Sequence, residues 1–503
     1  MSTINNHTAF NLGKWLNREL FHKKLMSPWG IAILVFMAVV SGFLAANDLF
    51  LIPFILSVAL IGIIIVYYCF FQPLIGFYLV SVIAFFMFYP SHLIGFEISF
   101  NPGVEMLILF LFSGTVFKVR SNRAKSDNLF KSIVTSMLAV YFLYFIIQAF
   151  NPNVTTLSGW HVPFRRLIVL SMIFYIAYQL IDTHQKLKFF FKFWVLFGFI
   201  AAVYGCYQQW FGLLPMEMRY IRSIPGAYDL LFQGGQLRKF SFLSDVVSFG
   251  ILSGSMAIFT LLWAIHEKNR IRKIIMMCMA FVMLLGMAYS GTRTTNLLLP
   301  AAIALYGIVT IQNKVTLIAV FISVLAIMFI LFAPIHTNLT LNRIRTTFDS
   351  KDASLNLRDA NRLYIQPYIY KHPIGGGLST TGVSGLDKFP GHPLAGFPAD
   401  SYLLRAALEV GWIGLALSLL LNLVFFYQGI YYYFRMRNPE YKYYIVLMMA
   451  TIFPVVVTQY SQETVGQLPF AIFFFSCLSL ITRVKEFDDS ETADRLIIQN
   501  KNL

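Results

Sequence analysis

Charge is scarce in this chain: Asp, Glu, Lys and Arg together make up 12% of its 503 residues, against 58% hydrophobic and 17% aromatic residues. That balance excludes an ordinary soluble domain and fits a polytopic membrane protein. Cysteine is scarcer still. The four that occur (Cys69, Cys206, Cys278, Cys477) fall inside apolar runs, without metal-ligand spacing or paired exposed positions, so all are expected to be buried small hydrophobes. No small-residue cleavage site follows the first apolar run, which is therefore expected to stay rather than be removed as a signal peptide. Acids and histidines do not cluster at ligand spacing. Asp349, Asp352 and Asp359 come nearest, and neither a metal nor another cofactor is expected. Nor does any Walker or dinucleotide pattern surround the glycine run Gly375 to Gly377, which reads as a flexible segment and, at most, a weak phosphate cradle.

Ionisable residues are also missing from the middle of the apolar runs. Ion-coupled transporters keep such residues near the bilayer midplane. Here Glu105, Arg165, Arg166, Asp245, Arg293, Asp400, Arg405 and Glu409 all lie towards the expected outer mouths of helices. An active site at the membrane surface suits this pattern better than a permeation path.

What is present is a succession of apolar runs of roughly 17 to 23 residues, each long enough to cross about 30 Å of hydrocarbon as a helix. Fourteen candidate spans can be drawn, beginning with Trp29 to Ala46 and including Val315 to Ala333, Asp400 to Phe434 and Gln467 to Thr482. The expected fold is all-α: a polytopic transmembrane helical bundle of about 12–14 spans with one long extracytoplasmic loop carrying short amphipathic helices. Its layout would be a cytoplasmic segment 1–28, spans 1–11 within 29–333, the long loop 334–399, C-terminal spans within 400–482, and a charged, unstructured cytoplasmic tail 483–503.

With the N-terminus inside, every basic cluster falls on the inner face, as the positive-inside rule requires. The formal charge of +16 is then mostly a topology signal, and nucleic acid is not implied. The two faces differ in kind. The inner one carries 15 Lys and 9 Arg, the outer one 4 Lys and 11 Arg. Arginine's planar fork binds phosphate or carboxylate through two bonds, whereas lysine is a hydrated point charge. An outer face rich in arginine suggests a phosphorylated ligand; interfacial arginines that snorkel and pair with acids are the plainer alternative.

Several outer residues are candidates for chemistry. Arg165 and Arg166 open one span, Arg238 precedes another, and Arg293 lies in the hairpin SGTRTTN. Arg358 and Arg362, four apart, share one face of a short amphipathic helix in the long loop. His392 follows in the same loop. Pro398, Asp400 and Ser401 read as a helix N-cap, with the Asp400 carboxylate alternatively a base; Arg405 and Glu409, at i and i+4, can pair.

In order and spacing, the pieces GCYQQWFG, LRKFSFLSDVVSFG, YSGTRTTNLLLP, NRLYIQPYIYKHPIGGG and DSYLLRAALEVGWIGL resemble the O-antigen polymerase and O-antigen ligase superfamily of bacterial polysaccharide assembly, over roughly Phe189 to Leu415. The resemblance implies metal-independent glycosyl transfer at the outer leaflet of the bacterial plasma membrane. The donor and acceptor would be undecaprenyl-diphosphate-linked oligosaccharides. It carries Arg238 and Arg293 over as diphosphate-binding residues. Asp400 is then the expected base or hydroxyl orienter, with His392 the runner-up, and Arg165, Arg166, Arg358, Arg362 and His392 are expected to contact substrate. In the ligase pattern the helix after the long loop opens with His-Asn, nine residues before a Glu; here Asp400-Ser401 stands there, which resembles the polymerase branch. Membrane lipid, a chain-length regulator and a flippase of the same pathway are the implied partners. A ligase, or a lipid-linked oligosaccharide flippase or other transporter, are the alternatives.

Overall fold

A computed structural model describes residues 51–95, 100–121, 127–233, 235–312, 353–399 and 401–501, with isolated positions between 27 and 35 and between 314 and 329. Most of the first expected span, Trp29 to Ala46, and most of Val315 to Ala333 lie outside the described residues. The principal helices are α1 (Leu51–Phe71), α2 (Pro73–Phe86), α3 (Tyr89–Ile94), α4 (Asn101–Ser121), α5 (Ile133–Ile147), α6 (His161–Leu180), α7 (His184–Phe211), α8 (Pro215–Ser223) and α9 (Val246–His266). They continue with α10 (Arg270–Tyr289), α11 (Leu298–Val309), α12 (Ala353–Lys371), α13 (Gly382–Lys388), α14 (Tyr402–Glu409), α15 (Gly411–Arg435), α16 (Pro439–Thr458) and α17 (Phe470–Lys501). Among the described residues the only paired strands are β1 (Phe232–Gln233) and β2 (Gln236–Leu237), antiparallel with Phe232 opposite Leu237.

The protein is an all-α polytopic membrane bundle. Nine described helices are long and apolar enough to cross a membrane: residues 73–94, where α2 runs into α3, and α4, α5, α6, α7, α9, α10, α15 and α16. The chain divides into two compact units, residues 1–82 with 102–123, and residues 83–101 with 124–503. In the first, α1 and α4 cross at Gly114, where an added Cβ would fall 2.3 Å from the Phe70 carbonyl oxygen. Between apolar helices, association depends on such close backbone approach.

The second unit carries all the candidate site residues. Its central helices are α9 and α16, buried on most sides (Phe249, Leu252, Met256 and Phe259; Ile445, Met448, Met449 and Ile452). Small residues let neighbours close on α9: Gly205 of α7 sits against Phe249, Gly198 against Met256, and Gly254 against Leu298 and Met287. Phe190, Trp194, Phe259 and Phe473 fill the remaining space with ring contacts between 5.4 and 6.2 Å.

Four expectations are corrected. The span expected from Asp400 to Phe434 is two helices, α14 and α15, because Gly411 adopts φ +72° and its backbone lies against Pro373 and Gly375. Cys69, Cys206 and Cys477 are buried, but Cys278 is exposed, since it faces outward from α10. The tail expected to be unstructured after Arg483 continues as helix through Lys501. Buried Arg483 donates to the Tyr178 carbonyl at 2.8 and 3.1 Å, and the Asp488 carboxylate accepts the Asn438 N–H at 2.8 Å, so partners on α6 and before α16 hold its charges. Finally, the glycine run is packed rather than flexible. Gly376 N–H donates to the Leu408 carbonyl at 2.7 Å and Gly377 N–H to that of Glu409 at 2.9 Å, which withdraws the amides a phosphate cradle would need.

Candidate functional site

The loop between α16 and α17, Gln459 to Pro469, gathers side chains from five distant parts of the chain. Glu463 accepts from Arg405 of α14 at 2.6 Å and from Arg166 of α6 at 3.3 Å. Tyr460 receives Arg362 of α12, whose guanidinium carbon lies 4.2 Å above the phenol ring and whose N–H donates to the Tyr460 carbonyl at 3.0 Å. Ser461 shares a hydrogen bond of 3.0 Å with Thr294, so the hairpin that carries Arg293 docks on the same loop. Gln467 completes the set by accepting from Ser248 at the start of α9.

Arg238 joins through that hairpin. Its Nε donates to the Ser290 carbonyl at 3.2 Å and its Nη2 to the Thr292 hydroxyl at 2.8 Å; Thr292 in turn donates to the Val246 carbonyl at 3.2 Å. Arg238 therefore braces the turn immediately before Arg293. The segment beneath it is fixed by buried Glu217, which accepts from Tyr204, Gln208 and the Leu214 N–H between 2.8 and 2.9 Å. Burial pushes the neighbouring Lys239 ammonium below its ordinary pKa, and the Glu217 charge offsets part of that.

Arg166, Arg362 and Arg405 thus meet on one loop at one end of the bundle, and the hairpin that Arg238 braces and that carries Arg293 docks on the same loop. The opposite end holds Lys186, Lys188 and Arg483 with their acids. Tyr178, which carries Arg483, lies twelve residues along α6 from Arg166, or about 18 Å of helix. Ion pairs as exposed as those of Glu463 contribute about 0–1 kcal/mol each. Their effect is orientation: the guanidinium groups of Arg166, Arg238, Arg362 and Arg405 each have an edge fixed by a protein partner.

The expected Arg405–Glu409 pair does not form. Arg405 turns to Glu463, while Glu409 is buried and accepts from the Ser379 N–H at 3.0 Å and from the Thr381 hydroxyl and N–H. Burial raises its pKa above the ordinary carboxylate value, and those hydrogen bonds pull the other way. Asp400 lies outside the described residues, and of Arg358 only the backbone, within α12, is described. The N-cap of α14 is Ser401, whose hydroxyl accepts the Leu404 N–H at 3.2 Å. Arg165 is exposed on the first turns of α6, beside Arg166.

His392 is not in the arginine cluster. It lines a cavity of about 450 Å³ with Asn153, Pro367, Tyr368, Lys371, His372 and Pro393. Sequence reading singled out neither this cavity nor Tyr460 and Glu463. The loop YSQETVGQLP is short and has one acid and no base; its importance comes entirely from what packs on it.

Residues 278–419 match the family described as O-antigen ligase. The chain is also 24% identical over 261 residues to the O-antigen polymerase of Salmonella muenchen, an alignment covering 50% of this chain and 62% of that protein. Both matches support the O-antigen polymerase and ligase superfamily. Arg293, Arg362, His392, Asp400 and Arg405 fall inside the matched stretch; Arg166, Arg238 and Glu463 lie outside it. The chain spans less than two thirds of the length of the curated relative it matches.

Proposed function

We propose that the chain is a membrane glycosyltransferase that polymerises undecaprenyl-diphosphate-linked repeat units at the outer leaflet of a bacterial plasma membrane. The observation that carries this reading is the convergence of three arginines, from three separate stretches, on the loop after α16, where the hairpin that carries Arg293 and is braced by Arg238 also docks. A diphosphate leaving group gathers negative charge as the anomeric C–O bond breaks, and charges fixed beforehand stabilise it without reorganisation. Arg238 and Arg293 are assigned to the diphosphate, with Arg166 and Arg362 as flanking contacts. Arginines already positioned by protein acceptors supply that charge with no divalent ion, and metal independence is part of the proposal. The Asp400 carboxylate is the proposed acceptor of the attacking hydroxyl's proton, since the cap that would otherwise occupy it is made by Ser401.

The family match favours a ligase and the Salmonella relative a polymerase, and the products separate them. Purified full-length protein is incubated in chelator with lipid-linked repeat units extracted from cells lacking it. A ladder of longer lipid-linked glycans is expected. Transfer of preformed chains only to a second acceptor would make it a ligase, and activity restored solely by a divalent ion would remove the arginine assignment.

A further inference from the structure

Tyr368 and His372 sit one turn apart at the end of α12 with their rings stacked, centroids 4.0 Å apart and planes 18° from parallel. His372 Nδ1 lies 2.9 Å from the Tyr368 carbonyl. A carbonyl can only accept, so Nδ1 carries the proton and Nε2 is left with a lone pair. Across the cavity, His392 Nδ1 accepts the Leu394 N–H at 3.1 Å, so its proton is on Nε2. The Asn153 backbone engages that Nε2 proton, so the cavity is lined by one imidazole that can accept and one whose donor is already used. Aromatic and proline surfaces lie between them, and among the described residues Lys371 is the only charged one and no carboxylate lines the cavity. Its floor depends on Gly376, where a Cβ would fall 2.7 Å from the Tyr368 hydroxyl and 2.8 Å from His392 Cε1.

We propose that this cavity is a saccharide subsite, which binds a pyranose ring of the lipid-linked glycan. The proposal rests on the glycosyltransferase reading. A pyranose has C–H faces that pack on flat apolar rings and an equator of hydroxyls that each donate and accept, which calls for the mixture found here. A volume of about 450 Å³ is in the range of small-ligand sites and admits one ring with its linkage to the next. His372 Nε2 accepts from a sugar hydroxyl, Lys371 donates, Tyr368 offers its face, and His392, held by Asn153 and Leu394, forms the opposite wall. Tyr368 is six residues beyond Arg362 on α12, about 9 Å along the helix, so a sugar held here is attached to a lipid diphosphate within reach of the arginines.

The imidazole difference supplies a readout that does not need turnover. Diethyl pyrocarbonate attacks a free imidazole lone pair, so in the detergent-solubilised full-length chain His372 should be modified faster than His392. Lipid-linked repeat units extracted from cells lacking the protein should protect His372 from modification; undecaprenyl diphosphate without sugar should not. Tyr368→Leu should abolish that protection and, in the polymerisation assay, raise the acceptor KM about tenfold with kcat nearly unchanged, the size expected for one aromatic contact. Equal protection by sugar-free lipid, or none by the glycosylated lipid, would overturn the subsite. If Tyr368→Leu does not fold, the wild-type protection pattern alone decides. Protection without polymer formation would leave the subsite standing and remove the polymerase reading, whereas polymer formation without protection would do the reverse.

Discussion

The Arg238 guanidinium donates to the Thr292 hydroxyl at 2.8 Å, one residue before Arg293, so the two arginines assigned to the diphosphate are set by a single turn. Arg293→Ala is expected to abolish polymer at normal protein level, since a lost contact to a desolvated charge costs about 2–5 kcal/mol. Arg293→Lys should be nearly as severe, because lysine keeps the charge and loses the fork. Thr292→Val, which leaves both charges in place, should give an intermediate loss. The measurement is polymer on gels normalised to membrane-inserted protein, and near-normal polymer from Arg293→Ala would return that residue to a structural role.

Asp400 and Ser401 are separable in the same assay. Ser401 caps α14, so Ser401→Ala should lower stability by about 0.5–2 kcal/mol, read as thermal unfolding in detergent. Asp400→Asn should unfold like wild type and lose about two or more orders of magnitude in rate. An active Asp400→Asn together with an inactive His392→Ala would transfer the base to the histidine.

His392 gives a pH signature. Burial pushes its pKa below the ordinary imidazole value of 6.5, while a hydrogen bond with the Asn153 backbone raises it and the neighbouring His372 lowers it. A depressed folded-state pKa means the unfolded chain binds the proton first, so this stability is present above pH 6.5 and lost as pH falls through the folded value. Melting curves between pH 7.5 and 4.5 should therefore fall less steeply for His392→Gln than for wild type. Parallel curves would show that His392 contributes nothing to the acid dependence.

Gly411 is the hinge on which the glycine run docks. With φ +72° and a Cβ that would fall 2.0 Å from the Pro373 carbonyl oxygen, Gly411→Ala forces both strain and displacement. Strain of that kind costs about 1–3 kcal/mol, so a clear drop in thermal stability is expected, with activity lost even at permissive temperature because the cavity beside Gly376 shifts. Gly391→Ala, which meets nothing within 4 Å, is the control and should behave as wild type.

The loop bearing α13 is expected on the outer face. Val383 is 73% exposed there, and a Val383→Cys substitution in a Cys278→Ser background should be labelled by an impermeant thiol reagent in intact cells whose outer membrane has been permeabilised. Labelling only after lysis would invert the topology.

The helical fold was legible from the sequence because a bilayer leaves the backbone few options: a long apolar run must satisfy its own hydrogen bonds, and a helix does so. The same reasoning located the arginine-bearing turns. It misjudged Cys278 and the residues after Arg483, because outward orientation and burial depend on neighbours that are remote in the chain. Composition distinguished an arginine-rich end from a lysine-rich one. Which arginines meet was decided only in three dimensions. Arg405 lies four residues from Glu409, yet it pairs with Glu463, fifty-eight residues away, because the Ser379–Thr381 turn fills the Glu409 carboxylate with donors of its own. Likewise, nothing in the order of Asn153, Tyr368, His372 and His392 announces a shared cavity. Gly376 and Gly411 let the backbones approach closely enough to make one.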